Sequence, residues 1–450
     1  MSGHRVPARE ILRLAAPALP VLAAEPLYLL VDTAVVGRLG AVALAGLAVA
    51  GVVFAQVTTQ LNFLSYGTTA RAARLHGAGR RGAAVGEGVQ ATWFALVTGL
   101  LVLVVGQLVA RPVAEALGDG GGIAEAAVSW LRVALFGAPL VLVTLAGNGW
   151  MRGVQDTARP LRYVLAGNGL SALLCPVLVH GAVGWAGFGL PGSALANVAG
   201  QAVGASLFLV ALVRAARADA VPLRPDRAVL RAQLALGRDL IARSLAFQAC
   251  FLSAAAVATR FGAAAAAAHQ IVLQLWFFLA LVLDAIAIAA QSLVGAALGS
   301  ADLGSAERGA ERARALAGQV TRYGLVAGLA FCLLFAALAG VLPHVFTTDP
   351  AVLAAVPMAW WFFVAIMPVS GVVFALDGVL LGAGDAAYLR TTTLIAALAG
   401  FLPLIWASLA FGWGLAGIWS GLTLFMVGRL VAVAVRARSD RWAVTGAVRP

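Results

Sequence analysis

The stretch Glu25-Pro26-Leu27-Tyr28-Leu29-Leu30-Val31-Asp32-Thr33-Ala34-Val35-Val36-Gly37-Arg38-Leu39-Gly40 decides the fold. It sets two carboxylates inside an otherwise apolar run wide enough to cross a bilayer. A carboxylate at the bilayer centre costs on the order of 3 kcal/mol even on lenient insertion scales, so a chain keeps one for a partner or a task. Glu25 and Asp32 stand seven residues apart, which on a helix places them on one face. The pair therefore faces inward, towards a cavity. The run is longer than the roughly 7 to 15 apolar residues of a leader peptide and reads as a retained helix.

Working outward, composition sets the class. With 62% hydrophobic residues, 11% charged and a mean hydropathy of +0.95, too few polar groups remain to coat a soluble protein of 450 residues. The chain reads as an all-α polytopic membrane protein. Apolar runs of about 20 residues predict twelve transmembrane helices, at 12–36, 41–66, 84–110, 126–150, 160–181, 190–213, 240–260, 264–298, 318–342, 352–381, 391–411 and 413–435. Cys175, Cys250 and Cys332 all fall inside these spans as small apolar residues, without a disulfide framework.

The net charge of +12 does not indicate a nucleic-acid partner. All 31 basic residues are arginine, and they alternate with the spans. Arg5, Arg9 and Arg13 precede the first span, and Arg71, Arg74, Arg80 and Arg81 follow the second. Arg152, Arg159 and Arg162 follow the fourth, seven arginines occupy 214–243, and Arg308, Arg312 and Arg314 follow the eighth. The intervening loops have few, and the one after the third span carries Glu115, Asp119 and Glu125. By the positive-inside rule both termini are expected in the cytoplasm.

The chain also repeats itself. A shift of 222 residues lays Arg38-Leu39-Gly40-Ala41 onto Arg260-Phe261-Gly262-Ala263, and a slightly longer one lays Gly153-Val154-Gln155-Asp156 onto Gly382-Ala383-Gly384-Asp385. Six spans separate the copies, so both halves run the same way through the membrane, as parallel repeats of transporters do. The expected organisation is an N-lobe over 1–213, a cytoplasmic linker over 214–239, a C-lobe over 240–435 and a cytoplasmic tail over 436–450. The linker, broken by Pro222 and Pro225, reads either as an amphipathic helix on the inner membrane surface or as a solvated connector.

Several of these motifs together resemble the multidrug and toxic compound extrusion (MATE) transporters, most closely their DinF-type branch. They are Pro-Leu-Tyr-x-x-Val-Asp-Thr-Ala-x-Val-Gly-x-Leu-Gly at 26–40, Arg152-Gly153-Val154-Gln155-Asp156-Thr157, and Asp377-Gly378 followed by Gly382-Ala383-Gly384-Asp385. The resemblance implies two six-helix lobes in a V. It implies secondary active export by alternating access, with organic cations or other amphipathic compounds leaving as protons or sodium ions enter. It further implies a multi-pass protein of the bacterial inner membrane with no cofactor beyond the coupling ion; a monomer is expected. The named alternative is a flippase for an amphipathic lipid or lipid-linked precursor in the same superfamily. Such proteins tend to hold a strongly cationic cavity, whereas the mid-membrane charges here are mainly acidic. A channel or membrane-embedded enzyme lacks support: the sequence has no phosphate-cradling loop, metal-ligand spacing or buried nucleophile pair.

Asp32 matches the family's first-span aspartate and is the expected ion-coupling residue, with Tyr28 one turn earlier; an interhelical structural aspartate is the competing reading. Glu25 is either a second coupling carboxylate or an interfacial one. Where a branch member often reads Asn-x-x-x-Asp-Pro, this chain has Ser171-Ala172-Leu173-Leu174-Cys175-Pro176. Sulfur is a poor donor for sodium, so protons are favoured, with Ser171, Ser193 or Asn197 completing the site.

In the second half, Gln270, Gln274, Phe277, Asp284 and Gln291 fall on one helical stripe, which suggests a substrate-facing surface. There Asp284 would attract a cation, and Phe277, Phe278 or Trp276 would stack on it. Asn62 is the repeat partner of Asp284 and has Gln56 near it, so both halves are expected to line the substrate cleft. The alternative for the amides is ordinary interhelical hydrogen bonding. Asp377 is a further candidate for substrate binding or protonation. His269 and Arg429 are expected to snorkel or satisfy local carbonyls. Asp156 and Asp385, each before a new span, are expected as helix caps. Trp130, Trp150, Trp185, Trp360 and Trp413 read as interface anchors.

Overall fold

A computed structural model describes residues 7–117, 121–182, 184–300 and 306–447. Arg5 and Asp119 lie outside the described residues. Among those described, twelve helices are long and apolar enough to cross a membrane: α1 (Arg9–Leu39), α2 (Ala41–Gly77), α3 (Arg81–Leu117), α4 (Gly122–Gly153), α5 (Ala158–His180), α6 (Leu190–Ala218), α7 (Arg227–Arg260), α8 (Ala263–Gly299), α9 (Ala306–Ala337), α10 (Pro350–Gly382), α11 (Ala386–Phe411) and α12 (Gly414–Arg438). Each coincides with an expected span. In hydrocarbon every backbone polar group must be satisfied within the segment, and a helix does this.

The helices depart from regular geometry at identifiable places. Pro17, Pro20 and Pro26 interrupt the hydrogen-bond ladder of α1. A turn at Asn62 divides α2, and α11 contains a π-helical turn at Ala397–Phe401. The linker is shorter than expected. Its irregular part ends before Arg227, where the apolar and basic pattern read as a surface helix instead begins α7, which runs on unbroken to Arg260. Trp93 Nε1 donates to Leu223 O at 2.8 Å and Gln90 Nε2 donates to Arg224 O at 2.9 Å, fastening the linker to α3.

Packing divides the chain into two units, one covering Ala16–Gly237, the other joining the chain start through Ala15 to everything from Arg238 onward. The boundary thus falls inside α1 and close to the start of α7. Ile11 and Leu14 belong to the second unit's core with Leu293, Leu316 and Val379.

Each unit is built on the same glycine contacts. In the first, a side chain at Gly99 of α3 would meet Pro139 of α4 closer than 3.0 Å; in the second, one at Gly328 of α9 would meet Pro368 of α10 just as closely. Gly149 lies on the backbone of Ser65, and Gly378 lies on that of Ala287. Gly99 and Gly328, and Gly149 and Gly378, stand 229 residues apart, the shift that lays Gly153 onto Gly382, so the repeat seen in the sequence extends to these helix crossings. Small residues there let backbones approach, which matters where lipid tails are as apolar as the side chains and no hydrophobic gain drives helices together.

Three of the expected interface tryptophans are core residues instead. Trp130, Trp150 and Trp360 are buried. The Trp360 indole donates to Phe335 O at 3.1 Å, a partner that lets an N-H leave water. Trp185 and Trp413 are exposed.

Candidate functional site: a polar chamber in the first unit

Glu25 and Asp32, two turns apart, give one face of α1 a charge that hydrocarbon disfavours. This face closes one side of a cavity of about 470 Å³ within the first unit. Glu25, Tyr28 and Asp32 line it from α1, and Thr58, Thr59, Asn62 and Tyr66 from α2. Asn148 and Arg152 line it from α4, Asn168 from α5, and Asn197 and Gln201 from α6. Glu25 stands at the middle of α1 and Asp32 two turns further on, while Arg152 sits in the last turn of α4.

Asp32 is 1% exposed and Tyr28 3%. The Asp32 carboxylate accepts from the Cys175 thiol at 3.3 Å and from the Ser193 hydroxyl. Ser193 in turn accepts the Trp130 indole N-H at 2.9 Å. These donors are neutral, so the carboxylate can lose or gain a proton without breaking an ion pair. The Tyr28 hydroxyl is buried, with Asn197 beside it. Glu25 faces the chamber with an exposed side chain.

Ser171 corrects the expected set. Its hydroxyl is fully buried and donates to its own helix at Gly167 O, 3.2 Å away, so that proton is not offered to Asp32. A backbone carbonyl one turn back is always within reach of a helical serine, and here it wins. The thiol of Cys175, one turn further along α5, takes the place at the carboxylate.

The expected substrate stripe does not hold together. Gln274 and Phe277 are exposed and Asp284 half-buried, but Gln291 is 1% exposed inside the second unit, where the backbone of Gly382 lies on it. The turns of α8 around Gln291 face α10, and a stripe read on one isolated helix cannot register that. Phe277 packs against Phe251 with ring centroids 5.4 Å apart. Of the first-half pair, Asn62 lines the chamber; Gln56 is half-buried and does not.

Asp377 is corrected more fully. Both Arg243 and Arg429 pair with its Oδ2. Arg429 is 3% exposed and does not snorkel; its guanidinium lies 5.1 Å from the ring centre of Phe247 and 5.6 Å from that of Phe425. A carboxylate held between two guanidiniums has no negative field left for a cationic cargo. His269 is also buried, with neither ring nitrogen hydrogen-bonded and Trp419 at 5.9 Å.

The two expected caps differ. Asp156 Oδ1 accepts the Arg159 backbone N-H at 3.1 Å at the start of α5. Asp385 stands at the N-cap of α11 but makes no side-chain cap bond, and its carboxylate pairs with Arg436 at 2.7 Å instead. A charged partner within reach outcompetes a backbone amide.

What sequence reading missed is Arg152, placed there in a cytoplasmic loop. It is 4% exposed in the chamber wall, and its position in the last turn of α4 was the available signal.

Twelve spans in two repeated units, with a carboxylate-lined chamber in the first, define a polytopic transporter. The MatE family model matches residues 17–177 and 240–406, one match in each half, and the chain belongs to that family. It is a multi-pass membrane protein of the multidrug transporter class, and members of this family are transporters rather than enzymes. It is 33% identical over 449 residues to Protein DETOXIFICATION 44, chloroplastic, of Arabidopsis thaliana, covering 96% of this chain and 83% of that one. It is 29% identical over 416 residues to the DNA damage-inducible protein F of Escherichia coli, covering 91% and 87%. Among solved structures, a crystal structure of MATE in the bent conformation matches with a TM-score of 0.84 at 22% identity, covering 98% of this chain and 96% of that one, a likeness of fold.

Proposed function

We propose that the chain exports organic-cation or amphipathic drug-like molecules in exchange for protons, with Asp32 as the coupling group. The observation that carries this reading is the setting of Asp32: a carboxylate 1% exposed, on the wall of a chamber of about 470 Å³, bonded only to neutral donors among its recorded partners. Such a group exchanges a proton whenever water reaches it. Ser193 and Cys175 adjust to either state, because each presents a rotatable hydrogen.

Protons are preferred to sodium because one of the Asp32 partners is the sulfur of Cys175, a soft donor for a hard ion. Exchange of one proton for one monovalent cation moves no net charge. Only the pH difference then drives it, at about 1.4 kcal/mol and thus about tenfold accumulation per pH unit. The alternation of arginine-rich and arginine-poor loops supports cytoplasmic termini. The proposed setting is a bacterial inner membrane; the word chloroplastic belongs to the plant relative.

The test is dye efflux from reconstituted vesicles with pH and sodium gradients imposed separately. Efflux is expected under the pH gradient without sodium, and lost in Asp32→Asn protein that inserts normally. A strict sodium requirement overturns the proton assignment, and unaltered efflux in Asp32→Asn removes Asp32 from the mechanism.

A further inference from the structure

The first unit contains a second hollow, and one side chain lines both it and the chamber. A groove of about 320 Å³ is lined by Val53, Phe54 and Val57 of α2, by residues of α3 from Leu101 to Val113, and by Leu131 and Leu135 of α4. Every lining residue is apolar or glycine. Its α3 rim, with Leu101, Val105 and Val109, is exposed on a helix that crosses the membrane, so the groove opens sideways towards lipid. Gly106 lies in its wall, where a Cβ would stand 2.6 Å from Leu135.

Phe54 lines both the groove and the polar chamber. Its ring meets Trp130 edge-on with centroids 6.1 Å apart, and the same indole donates to Ser193, which bonds Asp32. A continuous row of contacts thus runs from the groove through Phe54, Trp130 and Ser193 to the carboxylate. On neighbouring positions of α4, Trp130 turns to the chamber and Leu131 to the groove.

The geometry points to a divided binding site: the chamber takes the cationic head of an amphipathic substrate beside Glu25 and Asp32, the groove takes its alkyl or aryl tail, and Phe54 is the partition between them. This rests on the cation-export reading and names the substrate class within it. Charge complementarity selects the head, because the chamber presents Glu25 and Asp32 next to a groove whose wall is entirely apolar. The wall selects the tail, because a groove without a single polar side chain penalises any hydrogen-bonding group that enters it. From Leu101 to Val113 the rim extends about 18 Å at the helical rise, long enough for an octyl chain.

The test uses octyltrimethylammonium carrying a diazirine at the tail end, photolysed with the full-length protein in phosphatidylcholine nanodiscs. Crosslinks are mapped by mass spectrometry, and tetramethylammonium binding is measured separately by calorimetry. Labels are expected on Leu101, Val105 or Val109, falling at least tenfold when saturating tetramethylammonium occupies the chamber. Val105→Phe and Val109→Phe, each filling the groove, are expected to lower that labelling while tetramethylammonium still binds. Groove labelling indifferent to tetramethylammonium means that the groove holds any lipid-like chain, and overturns the inference. Labels elsewhere with tetramethylammonium binding intact also overturn it, leaving the export reading standing. No tetramethylammonium binding at all overturns the cation reading, and the inference with it.

Discussion

The Cys175 thiol of α5 lies 3.3 Å from Asp32 Oδ1 of α1, a buried contact that ties the two helices at the carboxylate proposed to couple transport. A thiol is a weak donor, and the bond is one of two that Asp32 accepts. Cys175→Ala is therefore expected to keep proton-driven efflux within about tenfold of the parent, the scale of one neutral hydrogen bond of about 1 kcal/mol, whereas Asp32→Asn abolishes it. Vesicle efflux rates at matched protein incorporation check both.

Asp377 supports the second unit. Asp377→Ala leaves Arg243 and Arg429 facing each other with no anion between them, and breaking a buried pair in this way costs about 3 to 5 kcal/mol. A marked loss of thermal stability in detergent is expected. Replacing Asp377 and Arg429 together by Leu and Met should recover much of it, and a stable Asp377→Ala protein with weakened cation binding would restore the residue to the substrate site.

The repeated glycine crossings predict paired losses. Gly99→Ala and Gly328→Ala each place a methyl group closer than 3.0 Å to proline backbone atoms, and overpacking of this kind costs about 1 to 3 kcal/mol. Gly51→Ala and Gly318→Ala, where a Cβ meets nothing within 4 Å, are expected to be neutral or to stabilise by about 0.5 to 1 kcal/mol. Melting temperatures of the four variants decide between crossing-specific and general effects of alanine.

Asp156 and Asp385 separate by the same measurement. Asp156→Ala removes an acceptor for the Arg159 amide, and a lost cap costs about 1 kcal/mol. Asp385→Asn, which keeps the shape but lowers the attraction for Arg436, is expected to change stability through that pair. Combined with Arg436→Met it should show coupling, which a double-mutant cycle measures directly.

Much of this was legible in one dimension. The positions of the twelve spans and the inward face of Asp32 follow from the cost of polar groups in hydrocarbon, which each segment meets by itself. The repeat was legible because short segments such as Gly153-Val154-Gln155-Asp156 recur as Gly382-Ala383-Gly384-Asp385, whereas the glycine crossings it carries needed the structure. Serine at 171 looked equivalent to serine at 193, since nothing local distinguishes a hydroxyl that bonds its own helix from one that bonds a neighbour. Gln291 looked like a cleft residue because a period along α8 shows which residues share a stripe, not which way the stripe is turned.

The amino-acid sequence alone determined the solvent, the number of crossings and the presence of a carboxylate that must avoid lipid. Desolvation acts on each helix before any packing is known. Only the tertiary structure decided that Asp32 meets Cys175 and Ser193, that Asp377 is enclosed by two arginines, and that Phe54 stands between a polar chamber and an apolar groove. Those facts depend on the rotation and depth of helices distant in the chain, and glycine contacts between backbones set both.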